Sequence, residues 1–265
     1  MYLGLLQGVT EFLPISSSGH LVILRHLLGV DFSEAPLLLD TILHLGTLLA
    51  VVVVFYRDLQ TIAVDGWAAL RHDGLKKGWS ERPHLRLLGW IVLATLPAVI
   101  VGFSLADVFE RAFSSLTVVG VALLFTAALL FASRWASRGD VDLAKLKSRH
   151  ALIVGILQAT AITPGVSRSG ATIVAGLFAG LDRETAGRFS FLIAIPAILG
   201  AVLLQAMKID HLPAGFIPAA IGGFVAAAIS GYCSLLLLLR FVKAGRLHWF
   251  GVYCMLVGIW ALLGA

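Results

Sequence analysis

Two short polar interruptions in a mostly apolar chain carry residue types that could do chemistry. The first, "QGVTEFLPISSSGH" at 7–20, holds Gln7, Glu11, three consecutive serines and His20. The second, "PGVSRSGATI" at 164–173, holds Ser167, Arg168 and Ser169. In both, a proline-containing break precedes serine and glycine at the start of a new apolar run. A helix that begins there presents unpaired N–H groups and the positive end of its dipole, a setting that suits phosphate. Ser16, Ser17, Ser18, Ser167 and Ser169 add hydroxyl donors, while Gly19 and Gly170 permit close backbone approach. Arg168 adds a planar fork that can hold two phosphate oxygens. Gln7 and Glu11 are four residues apart and share a helix face. A carboxylate facing phosphate is most useful as a ligand for a hard cation, Mg²⁺ or Ca²⁺. His20 could exchange a proton near neutral pH. The plainer alternative is a Glu11–Arg168 ion pair that locks the two segments together, with His20 a buried hydrogen-bonded residue. That alternative leaves the density of serine and glycine unexplained.

The elements that must position these residues follow from composition. Of 265 residues, 59% are hydrophobic and 13% charged, with a mean hydropathy of +0.95. A soluble domain carries about 25% charged residues, so the chain reads as an all-α polytopic membrane protein. Spanning helices need about 20 apolar residues, and six segments meet that loosely: 36–56, 86–106, 115–133, 188–207, 215–239 and 249–264. The apolar regions 2–28 and 150–180 break at Pro14–Gly19 and Thr163–Gly170 into halves too short to span, and so read as re-entrant hairpins. No basic n-region or small-residue cleavage site is visible, so the first segment is expected to stay in the mature protein. Cys233 and Cys254 lie apart in apolar runs and read as packing residues.

The basic residues set the orientation. Segments 57–86, 134–149, 181–188 and 240–248 hold 16 of the 20 Lys and Arg residues, whereas 29–35, 107–114 and 208–214 hold 2. By the positive-inside rule the first set is cytoplasmic, and the net charge of +5 is a topology signal rather than a mark of nucleic-acid binding. The two hairpins then enter from opposite faces. "LLQGVTEFLPISSSGHLVIL" (5–24) and "ILQATAITPGVSRSGATIVA" (156–175) align Gln7 with Gln158, Ser16 with Ser167 and Gly19 with Gly170. The expected fold is therefore one membrane domain of two inverted repeats, 1–133 and 150–265, joined by a cytoplasmic linker 134–149. Inverted repeats with broken helices place a site near the bilayer midplane where the breaks meet.

Both motifs, together with "LHLGTLLAVVVVFYRDL" (43–59) and "RFSFLIAIPAILGA" (188–201), resemble the bacterial undecaprenyl-diphosphate phosphatase family of the bacitracin-resistance type. The resemblance spans essentially the whole chain. It implies a multi-pass enzyme of the bacterial inner membrane that cleaves a C55 isoprenoid diphosphate to the monophosphate and inorganic phosphate. Such an enzyme recycles the carrier for peptidoglycan and gives bacitracin resistance. It also implies dependence on a divalent cation, Mg²⁺ or Ca²⁺, and a site open to the outer face. Glu11, Ser17, His20 and Arg168 fall on the family's catalytic positions. Ser16, Ser18, Gly19, Gly165, Ser167, Ser169, Gly170 and Thr172 fall in its substrate-binding loops, and Glu11 with Gln7 on its metal positions. The first acid of the motif is Gln7 here, which weakens a two-carboxylate metal site. Type-2 phosphatidic acid phosphatases also use Ser-Gly-His, but their later His and Asp have no counterpart after Ser167-Arg168.

The attacking group stays open among Ser17, water and His20, which lies three residues beyond Ser17. Asp40 and His44 lie four apart on the next helix, with Asp40 near its outer end; His44 reads as a structural hydrogen-bonding residue, and a supporting role at the site is an alternative for Asp40. Loop 57–86 reads as a solvated connection with Trp67 and Trp79 at the interface. Expected partners are the prenyl diphosphate lipid and membrane lipids, with no nucleic acid; a homodimer is an open expectation. The alternative function is a transporter or flippase of an anionic lipid at the same inverted-repeat site.

Overall fold

A computed structural model of the chain describes residues 1–28, 35–136, 139–207 and 216–265. The loop expected at 208–214, residues 29–34 of the loop expected at 29–35, and residues 137 and 138 of the linker lie outside the described residues. The described chain is helical, and its one pairing outside the helices is an isolated parallel bridge between Val141 and Leu181. The helices are α1 (Tyr2–Phe12), α2 (Ser17–Leu28), α3 (Ala35–Val54), α4 (Tyr56–Ala68), α5 (Gly74–Glu81), α6 (Pro83–Ser104), α7 (Ala106–Ala112), α8 (Leu116–Ala132), α9 (Ser148–Thr160), α10 (Arg168–Phe178), α11 (Arg183–Ala206), α12 (Phe216–Ala244) and α13 (His248–Leu263).

The protein is an all-α polytopic membrane protein. Its exposed faces are apolar: Ile217, Ile221, Val225 and Ile229 form one outward stripe on α12, and Val92, Leu96, Val99 and Phe103 another on α6. Water would penalise such stripes, and lipid does not. Among the described residues, α6, α11 and α12 are long and apolar enough to cross a membrane, and up to five spans result if two bent pairs each count as one. Two expected boundaries shift. The span expected at 36–56 stops at Val54, and the chain turns 78° into α4, where Arg57, Asp58 and Gln60 make burial in lipid costly. The connection expected at 57–86 is itself helical, through α4, a π-helical turn at Ala69–Asp73, and α5. Trp79 packs edge-on against Trp90 of α6, with ring centroids 5.2 Å apart, while Trp67 stays exposed.

The two broken regions each give a pair of short helices. α1 and α2 have 11 and 12 residues, and α9 and α10 have 13 and 11. At 1.5 Å per residue none reaches the ~30 Å hydrocarbon thickness. Each pair's first helix packs on a long helix of the other half, α1 on α12 and α9 on α6, while α3 meets α11 and α8 meets α13. Small residues bring these backbones close. A Cβ on Gly4 would strike the carbonyl of Gly223, and one on Gly155 would stand 2.6 Å from the carbonyl oxygen of Ala94. Phe12, fully buried at the end of α1, meets Phe191 of α11 edge-on at 5.8 Å and fixes the residue that follows Glu11.

Substituting Gly155→Ala should force α9 off α6 and cost about 1–3 kcal/mol. Gly200→Ala on α11 meets open space and should not lower stability. Thermal unfolding of both purified variants in detergent checks this; equal midpoints would refute the close approach.

Candidate active site

The site begins where the two breaks meet. α1 ends because Pro14 has no N–H and holds Leu13 in an extended conformation, φ −59° and ψ 141°. The chain then reverses at Ser16, with φ 69°, the only non-glycine at positive φ among the described residues. That conformation costs on the order of 1–3 kcal/mol and is held from several sides. The Ser16 hydroxyl accepts from the N–H of Gly19 (3.3 Å) and of Gly165 (3.1 Å). Its carbonyl accepts from the His20 N–H at 3.2 Å. The second tip turns at Gly165, φ 100°, whose carbonyl accepts from Thr126 Oγ1 at 3.0 Å. Ser167 then caps α10 by accepting from the Gly170 N–H at 3.1 Å. The tips touch: a Cβ on Gly19 would lie 3.0 Å from Gly165 Cα, and one on Gly170 3.3 Å from Pro14 Cβ.

Charge crosses this contact. Arg168 Nη2 donates to Glu11 Oε1 at 2.6 Å, with the two side chains 16% and 7% exposed. Glu11 Oε2 accepts from the Ser17 hydroxyl at 2.7 Å and from Gln7 Nε2 at 3.1 Å. His44 Nε2 stands 3.8 Å from the same oxygen, and its Nδ1 bonds the Asp40 carbonyl at 2.9 Å. Gln205 Nε2 donates to Asp40 Oδ2 at 3.0 Å. Among the described residues, four buried polar atoms around this centre lack a hydrogen-bond partner: Arg168 Nη1, Gln7 Oε1, Asp40 Oδ1 and Gln158 Oε1. Above them lies a cavity of about 320 Å³ whose lining includes Glu11, Ser16, Ser17, Ser18, Ser167 and Arg168. A hydroxyl held by a carboxylate is set to lose its proton, and a buried guanidinium N–H without an acceptor is set to receive an anion.

The expected residues divide into three groups. Glu11, Ser17, Ser18 and Arg168 converge on the cavity, with Gln7 behind Glu11. Ser16, Gly19, Gly165, Ser167 and Gly170 build the tips, and their mutual bonds consume donors that the sequence reading assigned to substrate. Ser169 bonds Ser167 at 3.2 Å, and Thr172 bonds Ser190 at 2.5 Å, both buried away from the cavity. His20 is not brought to Ser17. Its Nδ1 bonds the Ser16 carbonyl at 2.8 Å and its Nε2 the Tyr253 hydroxyl at 2.6 Å, with the two rings stacked. Three residues past Ser17, less than one turn into α2, the imidazole is turned toward Tyr253 of α13. His44 lines the cavity with Asp40, Gln158 and Gln205, and His44 approaches Glu11 more closely than its isolated place on an apolar helix suggests. A glutamine inside the apolar run 188–207 was the available signal for Gln205.

Among the described residues no three His, Cys, Asp or Glu side chains form a metal cage. The donors suit a different mode, in which one or two protein oxygens hold Mg²⁺ and phosphates and waters supply the rest. Glu11 and the unpartnered Gln7 Oε1 are the oxygens that fit it.

The profile of a family described as "Bacitracin resistance protein BacA" matches residues 1–260. Proteins named undecaprenyl-diphosphatase are similar along nearly their full length. That of Desulfosudis oleivorans is 44% identical over 259 residues, 97% of this chain and 94% of the relative. That of Syntrophotalea carbinolica is 43% identical over 256 residues, with the same coverage of 97% and 94%. That of Methanosphaera stadtmanae is 41% identical over 269 residues, again 97% and 94%.

Ser16 generates a graded expectation. Ser16→Ala removes the acceptor for two buried N–H groups and keeps the strained φ, and should cost about 2 kcal/mol or more. Ser16→Gly loses the same acceptor but relieves the strain, so it should unfold between wild type and Ser16→Ala. Thermal melts in detergent test the order; an Ala variant as stable as wild type would remove Ser16 from its structural role.

Proposed function

The chain belongs to the bacitracin resistance protein BacA family, and from that premise we propose that it hydrolyses undecaprenyl diphosphate to undecaprenyl phosphate and inorganic phosphate at the contact of the two helix breaks. The relatives' shared name supports the substrate and the reaction. The observation that carries the site is the Ser17 hydroxyl bonded at 2.7 Å to Glu11, whose other oxygen is held by Arg168.

In this reading the terminal phosphate enters the cavity and takes the open Arg168 Nη1. The first-turn amides of α2 and α10 that Ser16 and Ser167 do not take, those of Ser17, Ser18, Arg168 and Ser169, would offer it the positive ends of the two helix dipoles. Ser17 Oγ attacks the terminal phosphorus, and its proton passes to Glu11 Oε2. The bond from phosphorus to the bridging oxygen breaks, and undecaprenyl phosphate leaves. Water then attacks the phosphoserine, Glu11 returns the proton to the departing Ser17 oxygen, and inorganic phosphate is released. Glu11 is the base because it already accepts the serine's hydrogen bond. His20 acts as a positioning residue that ties the start of α2 to α13. His44, anchored by Asp40, holds Glu11 and Gln7 from the third side. A divalent cation would be held by Glu11 and Gln7 Oε1, and when bound it supplies charge neutralisation on the diphosphate.

The reading extends to the whole molecule. The two halves are inverted repeats, a view supported by the exchanged packing of α1 on α12 and α9 on α6 and by the matched glycines Gly4 and Gly155. The end rich in Lys and Arg faces the cytoplasm of a bacterial cell and the cavity opens outward. Restoring the carrier there serves peptidoglycan synthesis and lowers sensitivity to bacitracin.

Phosphate release from a prenyl diphosphate, measured on purified protein in detergent without a gradient, tests the reading against transport. Glu11→Gln should slow release roughly 10²–10⁴-fold, and Ser17→Ala should abolish it along with any phosphorylated peptide containing Ser17. His20→Phe should lower stability more than turnover. Full activity in Ser17→Ala would move the attack to water, and wild-type protein without release would favour a carrier.

A further inference from the structure

We propose a second anion site, a basic cleft at the opposite end of α3 and α11, that binds the phosphate of an anionic membrane lipid. It is independent of the reaction proposed above. From His44 to Val54, the last residue of α3, the helix rises about 15 Å, and the two cavities share no lining residue. The cleft has a volume of about 550 Å³ and lies between the end of α3 with the start of α4, the start of α11, and the end of α12.

Its lining holds five basic side chains, Arg57, Arg183, Arg188, Arg240 and Lys243, against two carboxylates. Both carboxylates are already neutralised. Asp58 is bonded by Arg188, and Glu184 by Lys243 at 3.0 Å. Three guanidinium groups remain for a ligand. Arg240 has no partner among the described residues. Arg57 spends Nε on its neighbour Tyr56, at 2.8 Å, and lies over that ring, leaving its outer nitrogens for a ligand. Arg183 is seated on the turn after α12, where Nη1 donates to the Lys243 carbonyl at 3.3 Å. That seat exists because position 245 is glycine, at φ 68°, and a Cβ there would collide with the guanidinium. Convergent arginines from three elements repel one another unless an anion joins them, and phosphate matches the guanidinium fork.

A separate observation sets the depth. α4 leaves α3 at 78° and exposes Tyr56, Val64 and Trp67 along one face, with the Arg71 guanidinium 5.4 Å above the Trp67 ring. An amphipathic helix with exposed tryptophan and arginine lies in the headgroup layer. The cleft opens beside it, and Val54, Leu236 and Leu239 supply an apolar wall. A free phosphate has no use for that wall, whereas a lipid places its glycerol and first methylenes there.

The test is lipid retention by purified protein in detergent, read by native mass spectrometry. Wild type should retain phosphatidylglycerol and not phosphatidylcholine. The double variant Arg57→Gln/Arg240→Gln should bind phosphatidylglycerol about tenfold or more weakly, while still releasing phosphate from a prenyl diphosphate at the wild-type rate. Arg111→Gln, on α7, should bind as wild type. Equal retention of phosphatidylcholine would overturn the proposal. So would unchanged binding in the double variant, an equal loss in Arg111→Gln, or displacement of the lipid by equimolar inorganic phosphate. If the double variant fails to elute as a folded protein, the lipid contrast and the phosphate competition on wild type decide.

Discussion

A carboxylate at membrane depth must be neutralised, and the pairing of Glu11 with Arg168 meets that demand from two chain segments 157 residues apart. Breaking such a pair leaves a buried charge, at a cost of about 3–5 kcal/mol. The pairing therefore dictates that the tips of both broken regions meet. For the tips to meet, α1 and α9 must sit close against helices of the opposite half, and the glycines at 4 and 155 permit it. α10 must also be buried on nearly all sides, which its small and apolar residues from Ser169 to Leu177 allow.

Meeting is not enough, because irregular backbone in a membrane must find partners within the protein. The tips satisfy each other. Ser16 serves Gly165 across the contact, Thr126 of α8 serves both Gly165 and Ser167, and the Cys254 thiol of α13 donates to the Pro14 carbonyl at 3.4 Å. These bonds absorb most of the serine and glycine in the two motifs. The Ser17 hydroxyl, bonded to Glu11 rather than within the tips, and the unpartnered Nη1 of Arg168 remain at the cavity. Structural satisfaction thus sets a few polar groups apart from a larger polar set, and these are the ones the proposed reaction uses.

That selection explains what could be read from the sequence. The breaks were legible because proline and serine-glycine interrupt apolar runs, and the meeting of Glu11 and Arg168 because neither can be left alone in lipid. Residue spacing along one helix could not show where His20 points. Its partner Tyr253 lies 233 positions away, and only the packing of α2 near α13 brings the two together. The same holds for His44, whose approach to Glu11 depends on α1 crossing α3. The bend after Val54 was hidden because Phe55 and Tyr56 continue the apolar run while the polar residues begin just beyond.

The glutamine at position 7 fits this electrostatic arrangement. Its amide nitrogen donates to Glu11 Oε2, a bond that a second carboxylate could not make. With Gln7 the resting centre holds one negative and one positive formal charge from Glu11 and Arg168. A glutamate there would set a second negative charge beside the first, with His44 Nε2, 3.3 Å from the present Gln7 amide nitrogen, the side chain placed to offset it. The neutral side chain lets the hairpins close without a second carboxylate at the centre and leaves Oε1 without a protein partner. One end of the amide thus serves the fold, and in the proposed reaction the other end would serve a cation.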